Sequence, residues 1–358
     1  MISRIKLAEA IAEAWNEKGI EYAVVHGLYT YPESIGRDLD IIISPEYIFS
    51  AINIAKSVAE RMGFNEVLLR WSHWGLFQFI LINKEQRVSL PLDLLCTTTV
   101  WQSKWITFVD DEVLNSFFNS SYKIGPFKVS SEGSFYKACI RPLLCGDISR
   151  FGGEISMPVS IPPEVDRQYL KQTIGGFGEQ LLALPSRSEL EKSFPSAMKV
   201  IQHTWLKQHK WKAAQALFSI LYRRGQIFFG MRADLLVIET KEKDVVLSAL
   251  YDLKKDMKSI FIDLRVVETS PSLLEEYWGR WFSWRKTPIS EFVLYVVVKK
   301  STKQPVSNVQ VSYSDNTLDI ILPEGSDSQE IGSYIYDNVL SFFSQKYSFN
   351  ERLVKHVR

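Results

Sequence analysis

The sequence predicts an α/β (α+β) protein built from more than one domain. Three observations carry that prediction. The chain has 358 residues, more than one ordinary hydrophobic core accommodates. Hydrophobic residues make up 46% and charged residues 23%, the balance of a soluble globular chain. Helical and strand periodicities alternate at both ends of the sequence, whereas the middle reads as helical.

Residues 3–18 read as an amphipathic helix, because Ile5, Ala8, Ile11, Ala12 and Trp15 fall on one face. Lys18-Gly19-Ile20 ends it. Tyr22 to His26 is a short buried strand. Gly27 to Arg37 is a loop containing Pro32 and Gly36, and Asp38 to Ile43 is the next strand. Pro45 opens a second helix, which carries Ile48, Ala51, Ile52, Ala55 and Val58 to about Met62. Glu66 to Trp71, Leu76 to Ile82 and Val88 to Leu95 read as strands, the last two joined by the polar turn Asn83-Lys84-Glu85-Gln86. Residues 1–125 are thus expected to form one mixed sheet packed by helices.

The pattern turns helical from Ser131 to about Arg150 and again from Glu164 to Arg224, with Pro158, Pro162 and Pro163 in a linker between. Residues 126–226 are therefore expected to be a helical region. A second α/β region, 227–358, follows. It contains strand Leu235–Ile238, helix Val245–Met257, strand Ile260–Val267, strands in Ser290–Val298 and Val309–Leu322, and a final helix Ile331–Lys346.

Net charge is +1, so no global pull toward nucleic acid or membrane is implied. A local basic aromatic stretch, Lys199 to Lys212, would suit RNA, DNA or another polyanion. A solvated helix face with inward tryptophans is its plainer reading. Trp278, Trp281 and Trp284 form one helical stripe, read as core. Cys96, Cys139 and Cys145 are too few and too oddly spaced for a disulfide framework or a zinc site. They read as buried thiols in a reducing compartment. The amino terminus lacks a signal-peptide core, and no apolar run reaches the ~20 residues needed to span a bilayer. A cytoplasmic location is the expectation.

The chemistry concentrates around Val24-Val25-His26-Gly27 and Gly36-Arg37-Asp38-Leu39-Asp40. Residues i and i+2 of a strand point to one face, so Asp38 and Asp40 should project together. Such a pair repels unless a cation sits between, and hard divalent ions such as Mg²⁺ take oxygen ligands of this kind. Asp93, in Leu90-Pro91-Leu92-Asp93-Leu94-Leu95, is a lone acid in an apolar run, costly to bury without compensation. A metal shared with Asp38 and Asp40 would compensate it. Three carboxylates around two ions suit phosphoryl or nucleotidyl transfer. His26, just before the glycine, reads as a packed strand-end residue or a ligand. His73, in Arg70-Trp71-Ser72-His73-Trp74-Gly75, sits in an aromatic and basic loop, or in a plain turn between strands.

A strand ending in glycine, a short loop, an Asp-x-Asp strand start and a later lone strand acid together resemble the DNA polymerase β-like nucleotidyltransferase superfamily. The likeness covers roughly residues 20–100. It implies that Asp38 and Asp40 bind metal ions, Mg²⁺ or Mn²⁺. It implies that Asp93 is the third carboxylate and helps to activate the acceptor hydroxyl. Gly27 would open the loop that approaches the triphosphate of ATP or another NTP. The implied reaction moves a nucleoside monophosphate from an NTP to an acceptor and releases pyrophosphate. A glycan intermediate, a small molecule, a protein side chain or an RNA end would all serve as acceptor. The superfamily usually carries Gly-Gly or Gly-Ser at the loop, and this chain has Gly27-Leu28. Leucine offers no hydroxyl to a phosphate, so Thr30, Ser34 or backbone N–H groups would have to replace it; Arg37, just before the aspartate pair, reads as a phosphate contact or as a solvated strand-edge charge. The alternative expectation is a catalytically inactive binding or assembly protein that keeps the fold.

The Trp101–Phe108 segment loosely resembles Trp-rich segments similarly placed in nucleotidyltransferase-like proteins of bacterial polysaccharide clusters. The opening of the last third resembles the start of a P-loop kinase. Its turn, Glu239-Thr240-Lys241-Glu242-Lys243-Asp244, lacks the glycines that cradle phosphates. The implied domain is a degenerate kinase fold without ATP chemistry, used in acceptor binding or assembly.

Overall fold

The computed structural model describes residues 3–73, 76–96, 100–102, 105–107, 117–119, 121–130, 133–134, 234–259, 262–267, 292–300, 309–314, 317–323 and 327–346, with single positions at 115, 210, 214 and 325. The chain is α+β, with a seven-stranded and a five-stranded mixed sheet. It divides into two compact units. The first comprises Met1–Asn65, Arg70–Leu81 and Leu90–Leu217. The second comprises Glu66–Leu69, Ile82–Ser89 and Phe218–Arg358.

Helix α1 (Arg4–Glu17) starts where the Ser3 side chain accepts a hydrogen bond from the Lys6 N–H, satisfying one of the orphan donors of the first turn. It buries Leu7, Ala8, Ile11, Ala12 and Trp15. Strand β1 (Tyr22–His26) follows, then β2 (Leu39–Ile43) and α2 (Ile48–Arg61). Pro45 lies outside α2, in the turn closed by the Tyr47 N–H on the Ser44 carbonyl at 2.9 Å. The helix starts later than the proline suggested, because that turn intervenes.

Strands β3 (Glu66–His73), β4 (Leu76–Asn83) and β5 (Val88–Leu95) come next. Arg70 to His73 belong to β3 rather than to the expected aromatic and basic loop, and residues 74–75 lie outside the described residues. Strands β6 (Val100–Gln102) and β7 (Trp105–Thr107) form a small antiparallel pair. Strands β8 (Ser121–Ile124) and β9 (Phe127–Ser130) form an antiparallel hairpin. The large sheet has the order β3-β4-β5-β2-β1-β9-β8. In it β1 runs antiparallel to β2, whereas β2 runs parallel to β5 and β1 parallel to β9.

One face of this sheet is apolar. Trp15 of α1 shares a core with Tyr22, Val24, Leu39, Ile41 and Leu92. The Trp15 indole meets the Tyr22 ring edge-on at 5.1 Å, and its N–H donates to the Ala51 carbonyl at 2.9 Å, tying α1 to α2. Trp15→Phe keeps most of the packing and loses that bond, so it should cost about 1–3 kcal/mol. The check is a lower urea midpoint by far-UV circular dichroism; an unchanged midpoint would contradict it.

In the second unit, β10 (Asp234–Thr240) is flanked by the parallel strands β12 (Phe292–Lys300) and β14 (Thr317–Ile321). The sheet order is β11-β12-β10-β14-β13, with β11 (Ile262–Val267) and β13 (Gln310–Ser314) at its edges. The expected strand region Val309–Leu322 is a hairpin, since β13 pairs antiparallel with β14. Helices α3 (Lys243–Ser259) and α4 (Ser328–Lys346) pack on each other.

Apart from residues 133–134, 210 and 214, the helices expected over 131–150 and 164–224 and the basic stretch 199–212 lie outside the described residues, as do the proline linker, the Trp278/Trp281/Trp284 stripe, Cys139 and Cys145. Cys96 is buried, as expected, and burial pushes its thiol up to about 12. Among the described residues no helix is long and apolar enough to cross a membrane.

Candidate metal and phosphate site

Strand alternation decides which side chains leave the apolar face. Leu39 pairs with Leu92 and Asp40 with Asp93 across the parallel β2–β5 ladder. Leu39 and Leu92 join the core under α1. Their neighbours Asp40 and Asp93 therefore stand side by side on the other face.

His26 reaches that face through an irregularity. On β1, Val24 pairs with Ile41, but His26 pairs with Asp40, so the register shifts between Val24 and His26. Two residues of β1 oppose one step of β2, as in a β-bulge. Without it, period-2 alternation would send His26 to the α1 side with Tyr22 and Val24. With it, His26 stands in a row with Asp40 and Asp93 across three adjacent strands. Its Nδ1 lies 3.3 Å from Asp40 Oδ2.

Asp38 precedes β2 and completes the group. Donor atoms of His26, Asp38 and Asp40 all lie within 4.8 Å of one another. Asp93 is beside Asp40 in register and is not part of that 4.8 Å group. Asp40 is only 2% exposed, which makes an uncompensated carboxylate there expensive. His26 is the neighbour that the sequence left undecided between packing and ligation. Two carboxylates and an imidazole at this spacing are a donor set suited to a divalent cation.

The loop between β1 and β2 is held tightly. Gly27 has φ +101° and approaches the Asp38 backbone so closely that an added Cβ would sit 2.4 Å from the Asp38 carbonyl oxygen. The Gly36 N–H donates to the Gly27 carbonyl at 2.7 Å. Arg4 at the start of α1 donates to the carbonyls of Gly36 at 2.9 Å and Arg37 at 2.5 Å. The Tyr31 hydroxyl donates to Glu9 at 2.8 Å, and its ring packs edge-on against Phe127 at 5.3 Å. Burial, then that bond and the charges of Glu9 and Glu13, push the phenol up to about 12.

The candidate phosphate contacts fall as follows. Leu28 is buried, with its side chain in the packing. Thr30, Ser34 and Arg37 are exposed, and the Thr30 and Ser34 hydroxyls hydrogen-bond to each other. The N–H groups of Tyr31, Ser34 and Gly36 donate to the carbonyls of Leu28, Thr30 and Gly27 within the loop. In the second unit, β10 passes into α3 across Lys241-Glu242 alone. The Glu242 N–H donates to Thr240 Oγ1 at 3.0 Å, and the Glu242 carboxylate accepts from the Gly325 N–H at 3.3 Å. A two-residue turn with its carboxylate so placed leaves no glycine cradle for a phosphate.

The chain matches no protein-family model, no curated protein and no solved structure.

Proposed function

We propose that the chain is a cytoplasmic, metal-dependent nucleotidyltransferase that moves a nucleoside monophosphate from an NTP to a hydroxyl acceptor. The observation that carries this reading is the convergence of His26, Asp38 and Asp40 within 4.8 Å, with Asp93 in register beside Asp40. It adds to the likeness of the Gly27 and Asp38-x-Asp40 pattern to the polymerase β-like superfamily.

Asp38 and Asp40, with His26 beside them, would hold Mg²⁺ or Mn²⁺. Such an ion offsets phosphate charge and favours the deprotonated form of an attacking hydroxyl. Asp93, one strand over, would take the proton of the acceptor hydroxyl. The acceptor oxygen forms a bond to the α-phosphorus as the bond to the α–β bridging oxygen breaks, and pyrophosphate leaves. Arg37, exposed at the mouth of the loop, supplies a cation for the phosphates. The second unit serves acceptor binding or assembly, a kinase-like domain without ATP chemistry.

A second reading has its own support. Leu28 is buried, the Thr30 and Ser34 hydroxyls bond each other, and three loop N–H groups donate to loop carbonyls. A loop so satisfied favours a catalytically inactive binding or assembly protein that keeps the fold and takes up no triphosphate. Thermal unfolding with each of the four NTPs and Mn²⁺ separates the readings. At about 100 times Kd a ligand adds ~2.7 kcal/mol, or roughly 3–10 °C depending on whether the whole chain or one unit unfolds. The nucleotidyltransferase reading predicts such a metal-dependent rise with at least one NTP. No rise with any of them favours the non-catalytic reading.

A further inference from the structure

We propose that Arg4 is a positioning residue for the carboxylate site, fixing the peptide units that carry Asp38; the proposal rests on the metal-binding reading above. The guanidinium Nη2 bonds two consecutive carbonyls, those of Gly36 and Arg37, immediately ahead of Asp38. These are contacts across more than 30 positions of sequence, from the first turn of α1 to the end of the β1–β2 loop. A single nitrogen shared by two successive carbonyls sets the direction of both peptide planes. The next dihedrals are those of Asp38 itself.

The same segment is also held by the Gly36 N–H on the Gly27 carbonyl. Asp38 thus leaves a loop held by two sets of bonds, one of them from Arg4. The side chain is half-buried and its Nε is buried without a hydrogen-bond partner. A guanidinium kept there despite desolvation is compensated by the two carbonyls and by the charge of Asp38. Burial lowers its pKa, and Asp38 opposes that lowering. Ser3 caps the helix on which Arg4 sits, so the donor is carried on a rigid element.

Two effects on cation affinity compete. A positive charge near Asp38 disfavours a second cation, whereas a fixed Asp38 backbone favours binding by removing the cost of ordering it. The bonds to two carbonyls make positioning the larger effect. Residues that orient metal ligands typically contribute about 10–100-fold to affinity.

The test is Mn²⁺ titration by electron paramagnetic resonance on the full chain as wild type, Arg4→Met, Arg4→Gln and Arg4→Lys, with the melting temperature of each. Arg4→Met and Arg4→Gln should weaken Mn²⁺ binding about 10-fold or more. Arg4→Lys, which keeps a donor and the charge, should recover part of it. The lysine and glutamine variants carry the test should the methionine variant not fold. Unchanged or tighter binding in Arg4→Met or Arg4→Gln overturns the proposal. So does a loss that follows melting temperature across the variants with no rescue by lysine. A wild type that binds no Mn²⁺ overturns the metal-binding reading itself and the proposal with it, an outcome distinct from the other two.

Discussion

Gly27→Ala is expected to destabilise the first unit by about 2–4 kcal/mol and to disable the carboxylate site at the same time. Two costs coincide at this position. The residue has φ +101°, which a side chain rarely adopts. Its Cβ would also meet the Asp38 carbonyl oxygen at 2.4 Å and Leu39 Cδ2 at 2.7 Å. The leucine tip can turn aside. The carbonyl cannot, because it belongs to the backbone of Asp38, which opens directly into β2. Relief therefore means moving Asp38 or parting β1 from β2. The fall in melting temperature should be roughly 5–15 °C. Gly19→Ala is the control, since Gly19 also has a positive φ, +68°, but nothing lies within 4 Å of its added Cβ. It should cost only about 1 kcal/mol. Equal losses in the two variants would show that close packing at Gly27 is unimportant.

Asp40→Asn should reduce Mn²⁺ affinity at least about 100-fold, the upper end of what even supporting residues cost. Nucleotide transfer should fall on the order of 10³-fold, the scale of losing a preorganised charge-stabilising group. The change keeps shape and removes charge at a position 2% exposed, so water cannot replace the lost oxygen ligand. Isothermal titration with Mn²⁺ reads the first effect, and pyrophosphate release with the responding NTP reads the second. Wild-type affinity in Asp40→Asn would remove Asp40 from the site. Asp93→Asn should act differently. It stands one strand away and outside the 4.8 Å group, so transfer should fall more than Mn²⁺ affinity does.

Much of this architecture was legible in the residues. The apolar stripe Ile5, Ala8, Ile11, Ala12 and Trp15 marked α1; the last four lie on its buried face, whereas Ile5 is only half-buried. The runs at Tyr22–His26 and Val88–Leu95 are strands with those limits. Alternation also placed Asp40 and Asp93 correctly as strand residues. What it could not supply was register. The pairing of Asp40 with Asp93 depends on how β2 lies against β5, a contact between residues 53 positions apart that no local pattern encodes. His26 is a sharper case. Period-2 reasoning sends it to the α1 side, and only the register shift after Val24 turns it toward Asp40.

Gly27 was legible as a special position, but for another reason. The sequence suggested a phosphate approach. The backbone gives it a structural task, the close passage of β1's end over Asp38. The β8–β9 hairpin was missed although it carried a signal: Gly125-Pro126 between the alternating runs Tyr122/Ile124 and Phe127/Val129 is a turn dipeptide flanked by strand patterns. Its place beside β1 required, again, a long-range pairing. Pro45 misled through the opposite error, a local helix-start rule overridden by the turn from Ser44 to Tyr47.

On the proposed function, the end of β1 and the start of β2 form a cation site that meets a nucleoside triphosphate. The most direct measurement is a crystal structure with Mn²⁺ and a non-hydrolysable analogue of the responding NTP, recorded at the manganese edge. An anomalous peak is expected about 2.0–2.3 Å from carboxylate oxygens of Asp38 and Asp40, with the analogue's phosphates against it. Saturating Mn²⁺ and analogue with no peak at Asp38 and Asp40 would contradict it.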